Sequence, residues 1–139
     1  MHMDIQFPGD LWVSAQFRGF TVVTDQSREH GGSGAAPEPF EFFLASLGTC
    51  AGFYALRFCQ ERGIATEGLS LGLTTTPDPE RKRLKAIRIE VRLPEGFPEK
   101  YHAAILRAVD QCAVKRHIVE PPELAVVATS APALVPATV

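Results

Sequence analysis

Apolar residues alternate with others from Leu11 to Phe17 (Leu11, Val13, Ala15, Phe17), the period of a strand with one buried face. Gly19 follows, then Phe20 to Asp25 repeats a strand pattern, so the two segments predict a tight hairpin. After Pro39 the period lengthens. Phe40, Phe43, Leu44, Leu47, Ala51, Tyr54, Ala55 and Phe58 recur at helical spacing, and Gly63 supplies a stop. This helix is apolar nearly all round as far as Arg57, which predicts a central position. Ala45, Gly48 and Gly52 line a stripe where another backbone can approach, and one small domain has few elements to cover every side of such a helix. A second subunit is expected to share that task.

The strand period returns from Leu69 to Thr75. After the charged turn TPDPERKR it is sharpest in Leu84 to Leu93, where Ile87, Ile89, Val91 and Leu93 oppose Arg88, Glu90 and Arg92. That is an antiparallel hairpin with one wet face. Pro98 opens a second helix whose inner stripe is Tyr101, Ile105, Ala108, Val109 and Cys112, and Glu123 to Ser130 reads as a last strand. Residues 26–39 form a loop rich in Gly, Ser and Pro, and residues 131–139 a proline-containing tail. The order predicts an α+β fold in a single domain spanning 1–139, with an antiparallel sheet, a buried central helix and a second helix.

Composition narrows the function. The 139 residues carry 14 Lys and Arg against 16 Asp and Glu, so the basic surplus of a nucleic-acid binder is absent. The longest uncharged apolar run, Phe42 to Leu56, has 15 residues, fewer than the ~20 that span a bilayer. No basic and apolar leader opens the chain. Unpaired thiols without an export signal lead us to expect a cytoplasmic protein with neither membrane nor nucleic acid as partner. Neither metal nor cofactor is expected. The four histidines lack paired ligand spacing, and GGSG is not followed by the Lys-Ser/Thr of a phosphate loop.

The three cysteines carry the remaining chemistry. Cys50 and Cys59 are nine residues apart on one helix, about 13.5 Å of rise, too far to bond. Only Cys50–Cys112 or Cys59–Cys112 could meet. Cys50 lies too deep in its helix for the N-terminal dipole to lower its pKa, so a cation from elsewhere must do so if it is a nucleophile. Arg18, Lys115, Arg116 and His117 are the candidates. Glu38 and Glu41, near the helix start, are favourable dipole partners.

Residues 37–64, PEPFEFFLASLGTCAGFYALRFCQERGI, resemble the OsmC/Ohr family of osmotically inducible and organic-hydroperoxide-resistance proteins. The shared features are the Gly-rich loop, Pro-x-Glu, a helix of LLAALGxC type and a closing Arg-Gly. Residues 112–118, CAVKRHI, resemble the family's second cysteine segment, with Ala113 in place of the usual proline. The resemblance implies an OsmC-like fold and an intertwined homodimer with sites at the interface. It implies a peroxidase in which Cys50 is the peroxidatic and Cys112 the resolving cysteine, a small hydroperoxide as substrate and a dithiol as reductant. Arg18 matches the family's thiolate-stabilising arginine. Glu41 matches the Glu of Pro-x-Glu, while Phe40 stands where the hydroperoxide-resistance branch carries an acid. The alternatives are an OsmC-like dimer that binds a small hydrophobic ligand without catalysis, or a redox sensor.

Overall fold

A computed structural model of the chain describes residues 1–130; the anticipated tail, 131–139, lies outside the described residues. Three N-terminal strands, β1 (Asp4–Gly9), β2 (Trp12–Phe17) and β3 (Phe20–Thr24), form an antiparallel sheet in the order β1-β2-β3. The β2–β3 turn places Arg18 at φ 49° and Gly19 at φ 81°. Two positive φ values in a two-residue turn match the twist of the hairpin, and Phe17 pairs with Phe20 across it. The strand β1 adds to the predicted hairpin. It begins in a short alternation (Met3, Ile5, Phe7), and register aligns Ile5, Ala15 and Val22 across the three strands.

Helix α1 runs from Pro39 to Gln60, with proline in its first turn, where no amide donor is missed. Leu47, Ala51, Ala55, Phe58 and Cys59 are buried, a stripe at i, i+4 spacing. Its length and composition would suffice to cross a membrane, but the buried stripe packs against α2 (His102–Val109), α3 (Ala113–Val119) and β4 (Ser70–Asp78). The rest of α1 is less covered than its apolar sequence predicts: Phe40 and Phe53 are half exposed, and so is Leu56. Leu73 approaches Gly48, whereas the space above Gly52 is open.

Strand β4 pairs antiparallel with β5 (Arg83–Arg92) in a separate two-stranded sheet, so the expected single sheet is two. The core is shared by α1, α2 and the segment before α2: Ala55, Phe58, Cys59, Phe97 and Ile105, with Leu71 and Val91 from the hairpin against them. Glu123–Ser130 is not a strand. The segment finds no ladder partner among the described residues, and Leu124, Val126 and Val127 are exposed. The second helix also divides. It ends at Val109, and Cys112, instead of closing it, caps the start of α3.

Candidate active site

Two thiols meet where α3 joins α1. Cys112 is buried, with its Sγ 3.9 Å from the Leu47 carbonyl oxygen, and accepts the Lys115 backbone N–H at 3.4 Å. Cys50, three residues after Leu47 on α1, is partly exposed and faces the Cys112 thiol and the first backbone amides of α3. The break between α2 and α3 is what delivers these groups. An uninterrupted helix would have spent the Ala113 and Val114 amides on its own ladder.

The two sulfurs are driven in opposite directions. Burial penalises the Cys50 thiolate, but the Val114 N–H, the Cys112 thiol, the Ala113 N–H and the Arg116 charge more than offset it, so its pKa falls below the ordinary thiol value. Burial raises the Cys112 pKa. The Lys115 and Val114 amides oppose that rise, and the neighbouring Cys50 adds to it. The pair is therefore polarised into one thiolate-prone sulfur and one that keeps its proton. Cys59, buried at the far side of α1, is raised by desolvation, against which Arg62 acts weakly; it is packing.

The other anticipated site residues are elsewhere within the chain. Arg18 sits at the β2–β3 corner with its guanidinium 5.9 Å from the Phe20 ring centre. Glu41 accepts the Glu38 N–H at 2.8 Å and so closes the first turn of α1. Helix continuity sets it about 13.5 Å of rise from Cys50. Among the basic residues after Cys112, Lys115 is ion-paired with Asp110, and the His117 ring bonds the Ala113 carbonyl at 2.8 Å.

The loop before α1 is built around a residue that the sequence reading passed over. Asp25 is fully buried, and its carboxylate accepts the Gln26 N–H (2.7 Å), the Ser33 N–H (3.1 Å) and hydroxyl (2.5 Å), and the Ala35 N–H (3.0 Å). The Ser33 hydroxyl and, against burial, these amides lower its pKa to about 2. Glu38 is likewise held at about 2 by the Ser27 hydroxyl, the His30 ring and the Ser27 N–H. An Asp directly before a Gly- and Ser-rich run is the signal that could have revealed this loop anchor. Among the described residues, no group of three or more His, Cys, Asp or Glu side chains gathers to hold a metal.

A groove of about 560 Å³ opens between β5 and the α2–α3 corner. Leu84, Ile87, Leu106, Val109 and Ile118 form its apolar walls, Cys112 lines it, and Lys85 and Lys115 stand among its lining residues.

Residues 31–127 match the sequence profile of the family described as OsmC-like protein. The chain belongs to the OsmC-like family. The matched segment takes in both cysteines of the pair, the central helix and the β4–β5 hairpin. Solved structures share the OsmC-like fold. A protein named for osmotic stress induction and detoxification response from Psychrobacter arcticus is 19% identical at TM-score 0.70, covering 82% of this chain and 85% of its own. The organic hydroperoxide resistance protein OsmC from Legionella pneumophila is 20% identical at TM-score 0.52, covering 85% and 89%. One named for organic hydroperoxide resistance from Vibrio cholerae is 16% identical at TM-score 0.50, covering 85% and 84%. No curated protein matches the chain.

Proposed function

We propose that this OsmC-like protein is a cytoplasmic, homodimeric thiol peroxidase that reduces organic hydroperoxides, alkyl or fatty, in defence against oxidative stress. The observation that carries the reading is the polarised pair: a thiolate-prone, partly exposed Cys50 beside a buried, protonated Cys112. The Cys50 thiolate attacks one peroxide oxygen, the O–O bond breaks, and the alkoxide leaves to be protonated as the alcohol. Cys50 is left as a sulfenic acid. The Cys112 sulfur attacks the Cys50 sulfur, loses its proton, and expels the hydroxyl as water, forming a disulfide. A dithiol reductant restores both thiols by two exchanges and leaves as its own disulfide.

Uncovered apolar surface supports the dimer. Ile5, Phe7 and Phe20 are exposed on the N-terminal sheet, as are Phe40 and Phe53 on α1. The decisive experiment adds cumene hydroperoxide to the protein with dithiothreitol as reductant, and maps disulfides by mass spectrometry. Wild type should turn over and accumulate Cys50–Cys112 when reductant is withheld, and Cys50→Ser should do neither. Unchanged turnover in Cys50→Ser overturns the assignment. A second reading is a non-catalytic dimer that binds a small hydrophobic ligand, favoured by the apolar groove lined by Cys112 and not by Cys50. Rapid disulfide formation without sustained turnover would instead mark a redox sensor.

A further inference from the structure

We infer that the groove between β5 and the α2–α3 corner admits the reductant, and that Lys85 on its rim selects a dithiol carrying negative charge. This rests on reading Cys50 and Cys112 as the peroxidase pair, and it names the chemical class of their reductant and a residue that positions it. The groove meets one sulfur of the pair. Cys112 lines it together with Leu47, whose carbonyl oxygen lies 3.9 Å from the Cys112 sulfur, and both residues are buried, so they form its floor. Cys50 does not line it. A molecule seated there is set against Cys112, whereas a hydroperoxide has to meet Cys50. The opening therefore suits the reductive half of the cycle.

The walls are apolar, and one charge on them is uncommitted. Lys115 and Asp110 both line the groove and are ion-paired with each other, while Lys85 makes no ion pair among the described residues. Lys85 has the parity of Ile87, Ile89 and Val91, the face of β5 turned to the groove, and Arg88, Glu90 and Arg92 take the other face. It has no cross-strand partner either. Thr76 opposes Ala86 and Pro77 opposes Leu84, so Lys85 is the extra residue of a bulge, a device that re-aims a side chain. An exposed ammonium beside apolar walls matches a ligand with an apolar body and an anionic group, and about 560 Å³ admits a small molecule. In the exchange, one reductant thiolate attacks the Cys112 sulfur, the S–S bond breaks, and Cys50 departs as a thiolate. The second reductant sulfur, losing its proton, attacks the first, closes the reductant's own disulfide and releases Cys112, which takes up a proton. Two electrons pass from the dithiol to the protein disulfide.

The test forms the Cys50–Cys112 disulfide with diamide, which needs no peroxidase activity. Its reduction is followed with two probes, neutral dithiothreitol and dianionic dimercaptosuccinate, by maleimide labelling and mass spectrometry. Lys85→Glu should slow dimercaptosuccinate about tenfold and dithiothreitol less than about twofold, with Lys85→Gln between wild type and Lys85→Glu. Arg88→Glu makes the same change of charge on the opposite face of β5 and should leave the ratio of the two rates near wild type. A wild-type ratio in Lys85→Glu overturns the inference, and so does an equal fall in Arg88→Glu, which marks the field of the whole protein. Mercaptoacetate, an anionic monothiol, should be trapped as a mixed disulfide on Cys112; its recovery on Cys50 also overturns the inference. Diamide treatment that yields no Cys50–Cys112 disulfide removes the functional reading together with the inference. A disulfide that forms and is then reduced without charge preference removes the inference alone.

Discussion

Removing the Cys112 thiol should change how Cys50 ionises before it changes anything else. In Cys112→Ala the Cys50 thiolate loses one hydrogen-bond donor, while the Val114 and Ala113 amides and the Arg116 charge remain. Hydrogen bonds to a charged acceptor contribute about 1.5–3 kcal/mol, and a thiol is among the weaker donors, so about 1 kcal/mol is the appropriate scale. That is roughly 0.7 of a pH unit. At pH 7 the thiolate fraction, and with it the Cys50 alkylation rate, should fall about fivefold, while the high-pH plateau stays put. Cys112→Ser keeps a donor at the same position and should titrate close to wild type, although it cannot form the disulfide. Urea denaturation serves as control, because the truncation of a buried side chain costs stability of its own, about 1 kcal/mol. The reasoning is refuted if the alanine variant has the wild-type midpoint, or if serine shifts it as far as alanine does.

Asp25 is held near 2 against an ordinary 3.8, a depressed carboxylate whose stabilisation is complete above the unfolded pKa and lost as pH falls through the folded one. Thermal melts should therefore lose stability between about pH 4 and pH 2, and Asp25→Asn should be less stable at neutral pH with a shallower acid limb. A Cβ on Gly32 would stand 2.1 Å from the Gln26 carbonyl oxygen, a backbone atom that cannot swing aside, so Gly32→Ala should cost about 2 kcal/mol or more in denaturant titration. Cys59→Ala should leave hydroperoxide turnover at the wild-type rate and lower stability by about 1 kcal/mol, since the thiol contributes only packing. Phe53→Glu places a charge on the uncovered face of α1, and sedimentation should show dimer giving way to monomer; a wild-type chain that is already monomeric at micromolar concentration sinks the dimer proposal.

Periodicity located what depends on local sequence. The Arg18–Gly19 turn, β5, and α1 from its proline to its glycine stop all lie where alternation or helical spacing put them. What was misread depends on pairing at a distance. Glu123–Ser130 has the composition of a strand, but a strand also needs a neighbour, and the described residues supply none. The apolar alternation in β1 was masked by Pro8 and Gly9, which sit at a bulge in its pairing with β2. The site was legible to the same degree. Helical phase restricted the thiol pairs to two, and only the packing of α3 on α1 chose Cys50 with Cys112. The different commitments of Lys115, Arg116 and His117 could not be read from spacing, because the three are adjacent in sequence and are separated only by what each side chain binds.

The polarity of the pair also bears on how the proposed disulfide would return to thiols. Groups that stabilise the Cys50 thiolate stabilise the reduced protein, which raises the reduction potential of the Cys50–Cys112 couple and makes its disulfide easier to reduce. The lower pKa also makes Cys50 the better leaving sulfur, so exchange chemistry favours attack on Cys112. Access points the other way, since Cys112 is buried while Cys50 is partly exposed. A reductant therefore needs either a path through the apolar groove to Cys112 or a loosening of the α3 end. The second route is cheap in covalent and packing terms: α3 has seven residues, none of them buried, and its start is tied to α1 through the Cys112 sulfur. Oxidation replaces that thiol contact by an S–S bond from the same sulfur to Cys50 on α1. The proposed disulfide thus fastens the Cys112 end of α3 to α1, so only the part of α3 beyond Cys112 is left to loosen toward a reductant.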